Sequence, residues 1–246
     1  NTYTFSNLTQ TTTFRAVVQS GNCTVEYSNA ITITVSPLTV PGILGNNATV
    51  CATENNGSLT LNGYNGNILN WELSVNNGSS WSVISNTSNT QSYTNLTTTT
   101  QYRVSVQSGV CTPQYSNTAT VTVIPPVETP NAGNDFGVCN VAATTLNATA
   151  PSSGSGSWLL INGPSAVSFT NVADAHTTVN GLVAGTYQFE WTISNGVCAN
   201  LKDTVIVTVY PATVPGTLSA STTVCATANS GTLSLTGFTG NILHWE

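Results

Sequence analysis

Apolar and polar residues alternate in short runs along the chain, broken by Asn, Gly and Pro. Residues 57–62 (GSLTLN) alternate, and 67–75 (NILNWELSV) form a longer run carrying Trp71. Asn76-Asn77-Gly78 supplies a turn and 81–84 (WSVI) returns, the signature of a β-hairpin. Runs at 101–107 (QYRVSVQ) and 117–124 (NTATVTVI) flank a loop holding Cys111. Further on, 144–148 (TTLNA) alternates, and 157–161 (SWLLI) and 165–170 (SAVSFT) flank Asn162-Gly163-Pro164. Residues 185–194 (GTYQFEWTIS) and 203–210 (DTVIVTVY) complete the set. A helical period is sustained nowhere, and β-branched Thr, Val and Ile dominate, so the pattern predicts an all-β protein.

The runs recur. Residues 1–35 align without a gap on 89–123 at a shift of 88, with 20 identities in 35. Residues 39–72 align on 213–246 at a shift of 174, with 21 identities in 34. One unit of about 88 residues is therefore followed by a different one of 174 − 88 = 86. Both lengths suit small β-sandwiches of ~100 residues. The expected organisation is the C-terminal half of a module at 1–37, a complete module at 38–126, a second kind at 127–211 and an N-terminal half at 212–246. Tandem repetition favours a scaffold, spacer or stalk over one catalytic centre. The segments 36–42 (SPLTVPG), 124–130 (IPPVETP) and 211–216 (PATVPG) read as joints. Proline stiffens them, so the modules are expected end to end as an extended rod.

Composition narrows the function. Charged residues make up 5% of the chain, against about 25% in an average soluble protein. The only basic side chains are Arg15, Arg103 and Lys202. That leaves no footprint for nucleic acid and no polybasic patch for a membrane surface. No apolar run is long enough to span a bilayer, so direct membrane insertion is not expected.

Six cysteines stand one early and one late in each unit. Cys51 and Cys111 are 60 apart, and Cys139 and Cys198 are 59 apart. Cys23 occupies the late position of its unit and Cys225 the early position of its own. The simplest pairing is Cys51–Cys111 and Cys139–Cys198, with partners for Cys23 and Cys225 outside the sequence. Disulfides imply an oxidising compartment. Zinc is the rival reading, but it favours close ligand pairs such as CxxC, and none is present. Tyr102 and Tyr187, each at the start of a strand, suit a tyrosine corner or an ordinary core position.

The residues also carry a resemblance. NAGNDFGVC (131–139), GSGSWLLINGP (154–164) and GLVAGTYQFEWTISNGVC (181–198) resemble the PKD-like repeats of very large surface proteins in Bacteroidota. WELSVNNGSSW (71–81) and QYRVSVQSGVC (101–111) are similar to the Ig-like modules that alternate with them. The resemblance implies a giant, type IX-secreted adhesin of the gliding-motility kind, attached to the cell surface. Its implied partners are a surface polysaccharide or solid substratum and, through regions elsewhere, outer-membrane motility or secretion machinery. Asp203-Thr204-Val205 matches the short O-glycosylation motif of that phylum, which makes Thr204 a candidate site.

Catalytic constellations are not evident. His176 stands near Asp174 in a polar loop, and His244 replaces Asn70 of the equivalent position. Neither accompanies a GxSxG, HExxH or P-loop motif. Glu54 is Ala228 in the next copy and Glu26 is Gln114, so these carboxylates are not shared machinery. Glu72 does recur as Glu246, but alternation turns it away from Trp71 and predicts an exposed strand residue. Asp135, with Glu128 upstream, is the one calcium candidate at a joint. Trp81 is a hairpin core position by default and a loop contact at most. The expected protein is not an enzyme and needs no cofactor. It is an extracellular, surface-attached stalk segment, with a structural filament or a carbohydrate-binding spacer of a secreted enzyme as alternatives.

Overall fold

The computed structural model describes residues 1–219 and 221–246. Strands and turns account for its regular structure, and no helix occurs among the described residues. The chain divides into two compact units, Asn1–Pro125 and Pro126–Glu246.

The first unit opens with two small antiparallel pairs. β1 (Thr12–Phe14) pairs β4 (Ile31–Ile33), and β2 (Val17–Val18) pairs β3 (Glu26–Tyr27) around Cys23. A complete sandwich follows. Its smaller sheet runs β10 (Thr90–Thr94), β7 (Asn56–Asn62), β5 (Ile43–Leu44). The larger runs β6 (Ala48–Cys51), β13 (Ala119–Ile124), β11 (Thr100–Gln107), β8 (Asn67–Ser74), β9 (Ser82–Ile84), and β12 (Gln114–Tyr115) also pairs β11. Alternation sends Leu59, Leu61, Trp71, Val104 and Val121 into a shared core. The hairpin expected at Asn76-Asn77-Gly78 forms: Asn77 and Gly78 both take positive φ, which Asn and Gly tolerate best.

The second unit holds another sandwich. One sheet is β14 (Phe136–Cys139), β20 (Leu201–Tyr210), β19 (Gly185–Ser194), β16 (Ser155–Asn162). The other is β15 (Ala143–Thr145), β18 (Thr178–Asn180), β17 (Ser168–Phe169). Asn162-Gly163-Pro164 therefore turns the chain from one sheet to the other rather than closing a hairpin. Trp158, Tyr187, Phe189, Trp191 and Val207 fill the core. Each indole N–H is satisfied by a backbone carbonyl, Trp158 by Asp174 at 3.1 Å and Trp191 by Thr149 at 3.2 Å. Beyond this sandwich, β21 (Thr217–Leu218) pairs β22 (Leu235–Thr236), the same register as Ile43–Leu44 on Leu61–Asn62 174 residues earlier.

In both sandwiches the first and last strands of the main sheet lie side by side and parallel. Ala48–Cys51 matches Val121–Ile124, and Phe136–Cys139 matches Val207–Tyr210.

Candidate functional site

Four groups of residues stand out in the structure: a charged clamp, a set of polar ties, the carboxylates and histidines, and the cysteines.

The clamp sits on the outer face of β8 and β11. Glu72 and Arg103 are cross-strand partners, so both side chains leave the sheet on the side away from Trp71. Arg103 donates through Nε and Nη2 to Glu72 Oε2, each at 2.7 Å. The Tyr115 hydroxyl donates to the other oxygen, Oε1, at 3.2 Å. The guanidinium lies between two aromatic faces, 4.1 Å from the Trp81 ring centroid and 4.0 Å from that of Tyr115. Glu72 is consequently only 7% exposed, which corrects the expectation of an open strand residue. Alternation does turn Glu72 away from Trp71, but two long side chains, Arg103 and Tyr115, fold over the carboxylate. Trp81, half-buried, belongs to this clamp and not to the core. The sequence held a signal: in a chain with three basic residues, Arg103 recurs as Arg15, Tyr115 as Tyr27 and Glu72 as Glu246. Arg15 lies 3.9 Å from the Tyr27 ring centroid, repeating half of the clamp.

The polar ties recur likewise. Asn55 is buried and donates to the carbonyls of Cys51 and Leu96, both at 2.8 Å, while its Oδ1 accepts from the Leu96 N–H at 2.8 Å. Asn229 makes the equivalent bond to the Cys225 carbonyl. The Val104 N–H donates to Ser116 Oγ at 3.0 Å, as Ala16 N–H does to Ser28 Oγ at 2.8 Å. Of the two readings open for it, Tyr187 takes the corner: its hydroxyl accepts from the Val183 N–H at 2.8 Å and lies 2.6 Å from Ser165 Oγ. Tyr102 is instead a core residue beside Tyr93. Burial, and then Tyr93, push its hydroxyl above the usual tyrosine range.

The carboxylates serve the backbone. Asp135 accepts from the Ile206 N–H and Asp203 from the Ala132 N–H, each at 2.8 Å. Glu128 accepts from the Ser152 N–H. Asp174 bonds the backbone N–H of His176, not its ring, so it does not orient the imidazole. His244 pairs with Glu246 at 2.8 Å in the open. Among the described residues no group of three or more His, Cys, Asp or Glu is arranged to hold a metal ion. Thr204 is exposed on the outer face of β20, opposite Glu190 of β19.

The cysteines depart from the expected pairing. Cys51 and Cys198 are disulfide-bonded, whereas Cys23, Cys111, Cys139 and Cys225 are free thiols. The bonds Cys51–Cys111 and Cys139–Cys198 are thus not those in the structure. The reason is strand direction. The early cysteine of each module ends a strand at one pole of the sheet, and the late one lies in a loop at the other.

With this geometry in view, the comparisons with known proteins place the modules. A family model described as a domain of unknown function (DUF8696) matches residues 1–37 and again 40–125, half of the chain. The chain belongs to this family. A second model, described as the K319L-like PKD domain, matches 132–209. Comparison with curated proteins gives no match. Among solved structures, the chain is similar to the PKD domain from the KIAA 1837 protein, at 29% identity over 36% of this chain and 92% of that one, TM-score 0.33. It is also similar to the fibronectin(III)-like modules of Clostridium thermocellum CbhA, at 15% identity over 72% and 95%, TM-score 0.35. A third is a Ca2+-stabilized adhesin with which an Antarctic bacterium binds ice, at 17% identity over 84% and 59%, TM-score 0.39. The DUF8696 module, with its paired sheets, and the PKD module beside it make this an all-β protein of Ig-like and PKD-like sandwiches. A PKD domain and Ig-like sandwiches are consistent with a non-catalytic adhesive or structural role.

Proposed function

We propose that this chain is a stalk segment of a large surface adhesin, mediating attachment or gliding, and that its work is mechanical. The observation that carries this reading is the parallel pairing of first and last main-sheet strands in both sandwiches. A pull on the two ends of such a module slides these strands past one another along their axes. All hydrogen bonds of the ladder are then loaded together instead of being opened one at a time. Each sandwich resists shear in this way, and no single residue carries an activity. The stalk is displayed outside the cell, attached through other regions of its protein to the outer-membrane machinery that secretes or moves it. Its tip engages a polysaccharide or a solid substratum. Thr204, exposed on β20, is open to O-glycosylation.

The test is an antibody raised to residues 38–126 and imaged on living cells that make the protein. Label on long filaments that travel along the cell, with movement blocked by the antibody, supports the reading. Static label on a sheath favours a structural filament, and label confined to the culture fluid favours a secreted spacer. The mechanical part is read separately by stretching single molecules. Thr49→Pro and Val50→Pro each delete one backbone donor of β6, and successive N–H groups on an edge strand point to opposite sides. One of the two lowers the unfolding force of its module markedly. Unchanged force in both would overturn the shear mechanism.

A further inference from the structure

Asn is followed by Gly at seven places in this chain. In such a pair the Gly backbone nitrogen can attack the side-chain carbonyl carbon of Asn, and Gly has no Cβ to hinder the approach. The reaction needs two freedoms. The N–H must be unheld, because the nitrogen sheds its proton as it attacks. The side-chain amide must be free to turn toward it. A hydrogen bond to either group, or a locked backbone, slows the step.

Six of the seven pairs are held. Asn77-Gly78 forms the tip of the β8–β9 hairpin, yet the Gly78 N–H donates to Ser74 Oγ at 2.9 Å and Asn77 Oδ1 accepts from Gln101 Nε2 at 3.0 Å. Asn65 pairs with Val40 through both backbone groups, and its Nδ2 donates to the Leu38 carbonyl at 2.8 Å. The Gly181 N–H, after Asn180, donates to the Ala142 carbonyl at 2.9 Å. Asn195 Oδ1 accepts from the N–H groups of Val197 and Cys198, at 3.1 and 2.8 Å. Gly57 and Gly163, after Asn56 and Asn162, lie against the rings of Tyr93 and Tyr187 so closely that a Cβ on either would collide. Neither backbone can turn there.

Asn62-Gly63 is different. Asn62 is the last residue of β7, exposed and directed away from the core that Leu61 enters. Gly63 is exposed, takes a φ of 66°, and has open space where a Cβ would stand. Among the described residues, neither the Asn62 side chain nor the Gly63 N–H has a hydrogen-bond partner.

We propose that Asn62 is a modification site of the DUF8696 module, at which the amide is lost through a cyclic imide with Gly63. The Gly63 nitrogen bonds to Asn62 Cγ, the Cγ–Nδ2 bond breaks, and Nδ2 leaves as ammonia with the proton that Gly63 gave up. Water then opens the ring at either carbonyl. The product is aspartate, or isoaspartate with the main chain rerouted through the side-chain carbon. No oxidant or enzyme is required. Residues 38–126 carry three charged side chains, Glu54, Glu72 and Arg103, so the new carboxylate changes a nearly uncharged surface. The core is spared, because the altered link lies beyond Leu61. The position tolerates change: Thr236 stands there in the next copy, paired with Thr217 as Asn62 is with Ile43.

The test uses the whole chain and does not depend on the adhesin reading. The folded protein is incubated in mildly alkaline buffer, then cut with glutamyl endopeptidase at mildly acidic pH, where the reaction is slow. Peptide 55–72 holds Asn62 and peptide 73–128 holds Asn77. Mass spectrometry with fragmentation should find the acid at Asn62 first, forming about tenfold or more faster than at Asn77, a ratio that one hydrogen bond can set. In urea the gap should close. Asn77, or any other of the seven, reacting as fast as Asn62 in the folded chain would overturn the proposal. Asn62→Thr should remove the first acidic species seen on ion exchange, and its persistence at the same rate would count equally against it. Ser74→Ala, which frees the Gly78 N–H, should speed the reaction at Asn77 and leave Asn62 as it was. An unchanged rate at Asn77 would refute the restraint argument.

Discussion

Arg103 and Glu72 face each other across β11 and β8 at 2.7 Å, outside the core, with Trp81 and Tyr115 stacked on the guanidinium. The pair is half-sheltered: the Glu72 side chain is 10% exposed and that of Arg103 26%. Removing Arg103 leaves a nearly buried carboxylate without its cation, a loss of about 2–3 kcal/mol once exposure is discounted. Arg103→Ala should lower the urea midpoint of this module by that much. Arg103→Lys should recover less than half, because an ammonium offers neither the two-nitrogen contact nor a planar face. The paired change Arg103→Met with Glu72→Leu should cost less than Arg103→Ala alone.

Tyr187 gives the PKD module its corner. Tyr187→Phe keeps the ring in the core and strands the Val183 N–H, while the Ser165 hydroxyl keeps its bond to the Gly181 carbonyl. The expected loss is about 1–3 kcal/mol, seen as a lower melting temperature. Tyr102→Phe, lacking that tie, should cost less.

Asn55 spans two loops with three bonds to backbone. Asn55→Ala leaves those groups without their partner and should cost about 2–3 kcal/mol. Asn55→Asp should be worse, because a carboxylate would face the two carbonyl oxygens that now accept from the amide. Equal stability of the two variants, measured by urea unfolding, would refute this account.

Tyr102 makes the first module sensitive to alkali. Its folded value is raised, so the folded state holds the proton more tightly than the unfolded chain. Stability from this group is complete below the ordinary value of about 10 and falls as pH rises past it. Urea midpoints from about pH 9 to pH 11 should drop, and Tyr102→Phe should flatten that drop.

Much of the architecture was legible in the sequence. β-Alternation located β7, β8, β11, β13, β19 and β20 to within two residues at either end, because each carries a buried face and a polar one. The short strands β5, β6 and β14 were not legible: with two to four residues they show no period, and only their partners make them strands. The clamp was half legible. Recurrence of Arg, Tyr and Glu marked it, but Glu72 is covered only because the sheet brings Arg103 and Tyr115, 31 and 43 residues away, over it.

The sequence by itself determined an all-β chain in repeating modules, since pattern, turn residues and copy number are local properties. Tertiary structure alone decided where each cysteine lies, because spacing along a chain does not encode strand direction. Cys51 and Cys111, matched by count, are parted by the length of β11.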